Sequence, residues 1–269
     1  MAIDLELART LCRLNSDFYL RQYQSFSDTR RQPWPGWQRC LDLIGDADAA
    51  RSNGWALASG DLTVLDLAAG NMRFAVFLGD ALPGLNFTVY AVDNCPPLAV
   101  ELPQVVYRQL DIAEALLTGS NLSELLLSAP VDLAVCFGFM HHLPLHTMRV
   151  DALAALLQKT RPGGFVCASF WQFMSDAGLA AGALITSRQA LAELSLPNLD
   201  KNDYLLGWQG KPGVYRYCHS FSDDEIDRLI ASLPNHARLV GRFKSDGRTG
   251  ELNTYLIWQA GGEKDDISG

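Results

Sequence analysis

Between residues 63 and 170, short apolar runs alternate with amphipathic stretches, and this alternation leaves the chain very few architectures. The runs at 63–67, 87–92, 105–109, 131–137 and 165–170 have the length and apolar content of buried strands. Segments 74–81, 115–127 and 147–160 place apolar residues at helical spacing. Strands alternating with helices pair in parallel, because each crossover returns the chain to the same end of the sheet, and the helices then cover both faces. Two further strands, at 238–243 and 252–259, flank the charged, glycine-containing turn 245–250 as the arms of an antiparallel hairpin. The expected fold is therefore α/β: a doubly wound, mostly parallel seven-stranded sheet with a C-terminal antiparallel hairpin.

The first strand-to-helix turn of this array carries the most chemistry. Residues 64–74 (VLDLAAGNMRF) pass from strand to helix through Ala68, Ala69 and Gly70, small residues that leave the backbone open to a ligand. Asp66 stands at the carboxyl end of its strand, where open α/β sheets bind their ligands. Ala68 and Met72 occupy the first and third glycine positions of the dinucleotide fingerprint. A side chain at 72 leaves less room for a pyrophosphate, so a ligand without phosphates, such as S-adenosylmethionine, fits better. Taken alone, the stretch reads equally well as an ordinary turn. Asp93 ends the second strand, where a carboxylate accepts both hydroxyls of a ribose; Asp111 ends the third, with Ile112 beside it to pack on an adenine. One strand-end aspartate is ordinarily a cap. Three at successive strand ends point to a nucleoside.

Length and composition narrow the classes. A chain of 269 residues can bury one large core plus embellishments, and 48% hydrophobic residues along its length exclude extensive disorder. No apolar run approaches membrane-spanning length and the first residues are charged and amphipathic, so a cytoplasmic protein with no membrane partner is expected. The cysteines, at 12, 40, 95, 136, 167 and 218, have no paired spacing and read as reduced thiols. A net charge of -8 excludes nucleic-acid binding over the whole surface. Local basic clusters remain, at Arg30, Arg31 and Arg39 and at Arg238, Arg242, Lys244 and Arg248; the second reads as a solvated face.

Outside the alternating core, residues 5–23 carry a helical pattern. Phe26, Arg30, Pro33, Trp34, Pro35 and Trp37 form a stretch too stiff and aromatic for a linker: either a lid in which Arg30 holds an anion, or a packed helix start at Pro35. Residues 46–61 read as a loop. After the fourth strand, Phe137, His141 and His142 face the reactive end of a bound ligand, one histidine being expected to be structural. With no third ligand placed nearby, metal is rejected. Residues 161–164 (RPGG) should stop a helix and turn the chain, 171–213 show no sheet pattern, and Ser222 with Glu225 forms a capping box for a helix through 232. The expected organisation is a helical cap and lid at 1–62, a cofactor-binding core at 63–170, an insertion over the substrate pocket at 171–220, the last helix and hairpin at 221–260, and a flexible tail at 261–269.

Asp66 with Ala69, Gly70 and Asn71, then Asp93, Asp111 with Ile112, and the RPGG turn together resemble class I S-adenosylmethionine-dependent methyltransferases, which share a Rossmann-like methyltransferase fold. A narrower resemblance spans most of the chain. Phe26, Ser27, Thr29 and Arg30 with Pro33, Trp34 and Pro35, then His141 and His142, then Arg216, Tyr217, Cys218 and His219, and finally Asn253, Thr254 and Tyr255 are similar to segments of the eukaryotic tRNA methyltransferases that esterify 5-carboxymethyluridine at the wobble position. Those enzymes carry a second tyrosine where Cys218 stands and a tryptophan where Thr254 stands.

The resemblance implies S-adenosylmethionine as cofactor, held by Asp66, Ala68, Gly70, Asn71, Arg73, Asp93, Asn94, Asp111, Ile112 and Phe137. It implies a catalytic set of Arg30, His141 and Arg216, with Trp34, His142, Tyr217, His219 and Asn253 binding substrate. The partners it implies are tRNA or a small-molecule substrate, together with a small zinc-binding activator subunit. A carboxylate nucleophile is already ionised near neutral pH and needs a cation to orient it rather than a base. O-methylation of a carboxylate on a modified tRNA uridine is thus the leading expectation. The alternatives are a small-molecule O- or N-methyltransferase with a histidine base, favoured by the acidic charge, and a non-catalytic partner subunit on the same fold.

Overall fold

The computed structural model describes residues 3–49, 61–234 and 237–261. Seven strands build the main sheet: β1 (Asp61–Leu67), β2 (Asn86–Asp93), β3 (Val105–Gln109), β4 (Val131–Cys136), β5 (Thr160–Trp171), β8 (Ala237–Ser245) and β9 (Asn253–Ala260). Their order is β3-β2-β1-β4-β5-β9-β8. The first five run parallel, while β9 is antiparallel to β5 and β8 to β9. This is the doubly wound sheet and terminal hairpin expected from the alternating pattern. Strand order reverses between β1 and β4, and at that switch point the strand ends open into a crevice.

Both faces are covered, so the central strands are apolar on both sides; every residue of β4 is buried. Because side chains alternate across a strand, Leu65, Leu67, Ala134 and Cys136 face one layer, and Val64, Leu133 and Val135 face the other. The first layer is completed by α1 (Leu5–Asp28), α4 (Ile112–Leu117), α6 (His146–Lys159) and α8 (Asp223–Ser232). The second is completed by α2 (Pro35–Ala49) and α3 (Arg73–Ala81). Leu65 and Leu67 are wholly buried, so truncating either to alanine costs about 2–5 kcal/mol.

Several local expectations need correction. The helix expected at 115–127 is two short ones, α4 and α5 (Leu122–Leu125), because Gly119 takes a left-handed φ of 69° that ends the first. The N-terminal helix runs past 23 to Asp28, so part of the aromatic stretch is helical, and α2 begins at Pro35, where a missing N–H costs nothing. That helix continues to Ala49, inside the segment read as a loop; residues 50–60 lie outside the described residues, as does the expected tail from 262. The RPGG segment lies within β5 rather than before it. Gly163 has φ 84° there, and the register with β4 shifts between Val131 and Leu133.

The largest correction concerns 171–220. It holds α7 (Ala177–Glu193) and a separate two-stranded antiparallel sheet of β6 (Asp203–Trp208) and β7 (Lys211–His219). Gln209 and Gly210, both left-handed, make the tight turn between the strands. Their apolar side chains pack on α1 and α7 instead of the main sheet, which removes the simple inside-outside alternation that reveals a strand. No helix among the described residues is long and apolar enough to cross a membrane.

Candidate functional site

A cavity of about 690 Å³ opens at the carboxyl ends of β1, β2 and β4, roofed by the second half of α1 and by residues 29–34. It brings together all the site residues expected from sequence except Tyr217 and His219.

Its floor is the turn after β1. Ala68, Gly70 and Met72 have φ of 63°, 55° and 60°, and the two non-glycine residues each cost about 1 kcal/mol in this region. Ala68 and Ala69 donate their N–H groups to the Val92 carbonyl, and Met72 to that of Ala69, which holds the turn in place. Asp93 accepts from Gly70 N at 2.9 Å and from Cys95 N at 2.8 Å. Asp111 caps α4 by accepting from Glu114 N. Both acids thus do the backbone work of strand-end aspartates while lining the cavity. Ile112, Leu98 and Leu110 add an apolar wall. Asp66 differs: it is buried, and its carboxylate accepts no hydrogen bond among the described residues. Burial, and then the neighbouring Asp93, push its carboxyl up to about 7 against the pull of Arg73.

Asn71, Arg73 and Asn94 tie this floor to the roof. Asn71 donates to Ser27 Oγ and to the Arg30 carbonyl at 3.1 Å each, Arg73 to the Gln32 carbonyl at 2.7 Å, and Asn94 to Ser16 Oγ at 3.0 Å. The Arg73 guanidinium lies against the rings of Trp34 and Trp37, and burial followed by Arg30 lowers it to about 10. Trp34 is consequently a packed wall rather than a free platform. A Cβ on Gly138 would come within 2.9 Å of its ring, and Gly138 has φ 76°, so glycine is what lets the loop after β4 pass beneath it. Phe137 packs among Trp37, Phe74 and Tyr255. Asn253 donates to Asp246, which also accepts from Gly36 N and the Tyr255 hydroxyl.

The opposite end is cationic. The Arg216 guanidinium sits 5.3 Å from the Phe18 ring, 5.2 Å from Trp208 and 6.0 Å from Trp171, and its Nε has no hydrogen-bond partner. Arg30 lies over Phe26, and burial and Arg216 lower its pKa. Neither arginine is ion-paired among the described residues.

The two histidines divide in the way expected of a structural and a free member. His142 contacts the Tyr19 hydroxyl through Nε2 at 2.8 Å, and the Tyr217 carbonyl and Asn15 Nδ2 through Nδ1 at 2.9 and 3.1 Å. Either tautomer leaves it bonded at both nitrogens, and burial, then Arg216, lowers it to about 3. The His141 ring lies tilted 4.1 Å from that of His142 and edge-on 5.0 Å from that of Trp171; its Nδ1 has no partner. Burial first, then His142 and Arg216, hold it well below the ordinary histidine range, so it is neutral.

The ground for rejecting metal needs amending. A third ligand type is at hand, since the donor atoms of His141, His142 and Cys218 lie within 4.8 Å of one another. The donor set nevertheless suits a metal poorly: His142 is bonded at both nitrogens, burial raises the Cys218 thiol to about 12, and Arg216 puts a positive charge in the same corner.

Tyr217 and His219 do not reach the cavity. On β7, residues 216 and 218 project to one face and 215, 217 and 219 to the other, so Arg216 and Tyr217 cannot both point inward. Tyr217 packs with Leu11, Ala190 and Leu205 and donates its hydroxyl to Asp203. His219 lies between Asp203 at 2.7 Å and Glu225 at 3.1 Å, joining β6 to α8. Tyr217 does contribute its main chain, with N donating to Asn15 Oδ1 and the carbonyl facing His142. Sequence reasoning also missed Asn15, Tyr19, Trp171 and Asp246, all lining the cavity. For the first two a signal existed: Leu11, Asn15, Phe18 and Tyr19 share one stripe of α1, and a buried amide in an apolar stripe demands a partner.

No protein-family model matches this sequence, and no curated protein matches it. The fold is similar to solved structures. An S-adenosylmethionine-dependent methyltransferase from Methanosarcina mazei is 15% identical over 76% of this chain and 94% of its own, with a TM-score of 0.51. The CcbJ methyltransferase from Streptomyces caelestis is 13% identical over 91% and 96%, at 0.51. An amino pentose methyltransferase from Micromonospora echinaspora, solved with S-adenosylmethionine bound, is 14% identical over 88% and 96%, at 0.50. The chain has the Rossmann-like fold of S-adenosylmethionine-dependent methyltransferases.

Proposed function

We propose that this protein is an S-adenosylmethionine-dependent methyltransferase that esterifies a carboxylate on a small molecule. The observation that carries the reading is the polarity of one continuous cavity, with strand-end aspartates at one end and two unpaired arginines at the other. The residues fit the nucleoside cofactor: Asp93 and Asp111 retain acceptor capacity for hydroxyl and amino groups, Ile112 and Leu98 offer an apolar wall, and the turn at Gly70 leaves backbone exposed. When bound, S-adenosylmethionine supplies an electrophilic methyl group.

The rest follows from the chain's own side chains. Arg30 and Arg216 are fixed cations on aromatic faces, suited to hold an acceptor carboxylate by charge-assisted hydrogen bonds. Trp34, Phe26 and Trp171 line the cavity with apolar rings, which lower the local dielectric and strengthen the attraction. Neutral His141 and His142 are poor proton acceptors near pH 7, held down by burial and by Arg216. An amine or alcohol acceptor would lack a base at this end, whereas a carboxylate arrives ionised. The small-molecule class is supported by the likeness in fold to the amino pentose enzyme and by the acidic chain. A carboxylate on a modified tRNA uridine is a second reading. It is favoured by the convergence on one cavity of Arg30, Trp34, His141, His142, Arg216 and Asn253, residues from the segments similar to the wobble-uridine enzymes.

The test is incubation with methyl-tritiated cofactor and either a metabolite extract or total RNA, each product being split for alkaline treatment. Alkali-labile label in the metabolite arm is the expected result. Labile label confined to RNA selects the second reading. Alkali-stable label overturns the carboxylate assignment, and absence of cofactor binding by calorimetry overturns the enzyme assignment in favour of a non-catalytic subunit.

A further inference from the structure

The basic end of the cavity holds two positive charges with no acid of the chain to offset them. Arg30 lies 5.1 Å from the centre of the Phe26 ring and Arg216 5.2 Å from that of Trp208, and these two rings are 6.0 Å apart, so both guanidiniums stand on one aromatic platform. Tyr19 on α1 and His141 after β4 face both of them. Tyr19 and Cys218, which could carry a negative charge here, stay neutral, because burial raises the hydroxyl and the thiol to about 12 each. No carboxylate among the described residues pairs with either arginine. Arg216 is 6% exposed with an unpartnered Nε, and the similarly buried His141, which shares the Trp171 ring with it, has an unpartnered Nδ1. Two like charges gathered out of water repel each other, and each is costly until an anion arrives.

A monocarboxylate brings one negative charge to this pair and leaves the end with a net positive charge in a low-dielectric space. An acid with two carboxylates brings one for each guanidinium, through charge-assisted hydrogen bonds that match the planar fork. We propose that the acceptor is a dicarboxylic acid, one carboxylate taking the methyl group while the second arginine grips the other as an anchor. The inference rests on the carboxylate-esterifying reading of the site and adds to it the charge of the acceptor. In the transfer a carboxylate oxygen forms the new bond to the methyl carbon as the carbon–sulfur bond breaks, the electron pair of that bond stays on sulfur, and no proton moves. The acceptor passes from dianion to monoanion, so one guanidinium loses its partner and the product is held more weakly than the substrate. A phosphate monoester joined to a carboxylate would bring nearly three charges to two cations and fits less well. The cavity of about 690 Å³ also takes the cofactor, which keeps the diacid short.

The charge left on the product tells the two readings apart. The full chain is incubated with methyl-tritiated cofactor and a metabolite extract, and the alkali-labile product is passed over a strong anion exchanger at pH 7. Retention is expected, since the monoester keeps one carboxylate, and mass spectrometry of the acceptor recovered after alkali should show a diacid. Label in the flow-through overturns the proposal and leaves esterification of a carboxylate intact, as does retention that phosphatase abolishes. Labile label confined to RNA overturns it as well. If no labile label forms in either arm, the carboxylate reading fails and this proposal falls with it. The arginines are then tested with the recovered acid and its half-amide, which carries a single charge. Wild type should favour the diacid by at least about 30-fold in kcat/KM. Arg30→Met and Arg216→Met, each checked for folding by circular dichroism, should shrink that preference below about threefold, since one cation then remains for one anion. An undiminished preference in either variant overturns the pairing. So does a cofactor affinity about tenfold weaker in Arg30→Met, which would assign that guanidinium to the amino-acid carboxylate of the cofactor.

Discussion

The two ends of the cavity keep their charges in place by opposite means. At the acidic end the holding groups are backbone N–H donors, from Gly70 and Cys95 to Asp93 and from Glu114 to Asp111, all supplied by the turns that follow the strands themselves. At the basic end they are aromatic faces: Phe26 under its near neighbour Arg30, and Phe18, Trp171 and Trp208, drawn from elements far apart in sequence, around Arg216. The first end is local and belongs to the sheet. The second is an assembly of α1, β5, β6 and β7. One free acid and two free cations are left over, and the difference shows which groups stay open for ligands.

The widest effect should come from Asp66. Its folded carboxyl is raised above the ordinary value near 4, so its contribution to stability is present below pH 4 and is lost as pH rises through 7. On this account the ligand-free wild type loses on the order of 4 kcal/mol between pH 4 and pH 8 relative to Asp66→Asn. Urea unfolding of both across that range measures it, and parallel curves would remove the asymmetry between Asp66 and its neighbours. Next is Arg216→Met, which keeps bulk and removes charge. Label transfer should fall about 30- to 1000-fold in kcat/KM, corresponding to roughly 2–4 kcal/mol, with cofactor affinity changed less than about twofold. Its unfolding free energy should be unchanged or higher, because an unpaired buried cation is costly to the fold. A loss of both activities together would mean that the two ends do not act separately. Smallest is Tyr19→Phe, which deletes one hydrogen bond to His142 and should cost about 1 kcal/mol in stability. Transfer should slow less than about tenfold, and a shift in cofactor affinity would contradict the placing of Tyr19 at the basic end.

Legibility in the sequence follows the same division. The sheet was readable because each strand is a contiguous apolar run, and Asp66, Asp93 and Asp111 were readable because each ends its own strand. Arg216 was found and its neighbours were misjudged: with no strand assigned to 214–219, Arg216, Tyr217 and His219 were allowed to share a pocket, which the period of a strand forbids. Asn15 and Tyr19 went unnoticed since their partner His142 is more than a hundred positions away, and helical periodicity reports which side of a helix is inward, not what it meets there. The break at Gly119 was a one-residue matter of backbone φ, which apolar spacing does not register.

The hydrogen bonds from Asn71, Arg73 and Asn94 to Ser27, Arg30, Gln32 and Ser16 mean that the first thirty-odd residues are as much receptor as ornament. Trimmed to begin at Pro35, the chain would keep every strand of its main sheet and the neighbours each strand pairs with. What it would present to a ligand is an uncovered trough, with severed polar side chains along one bank and Arg216 stripped of its Phe18 cushion on the other.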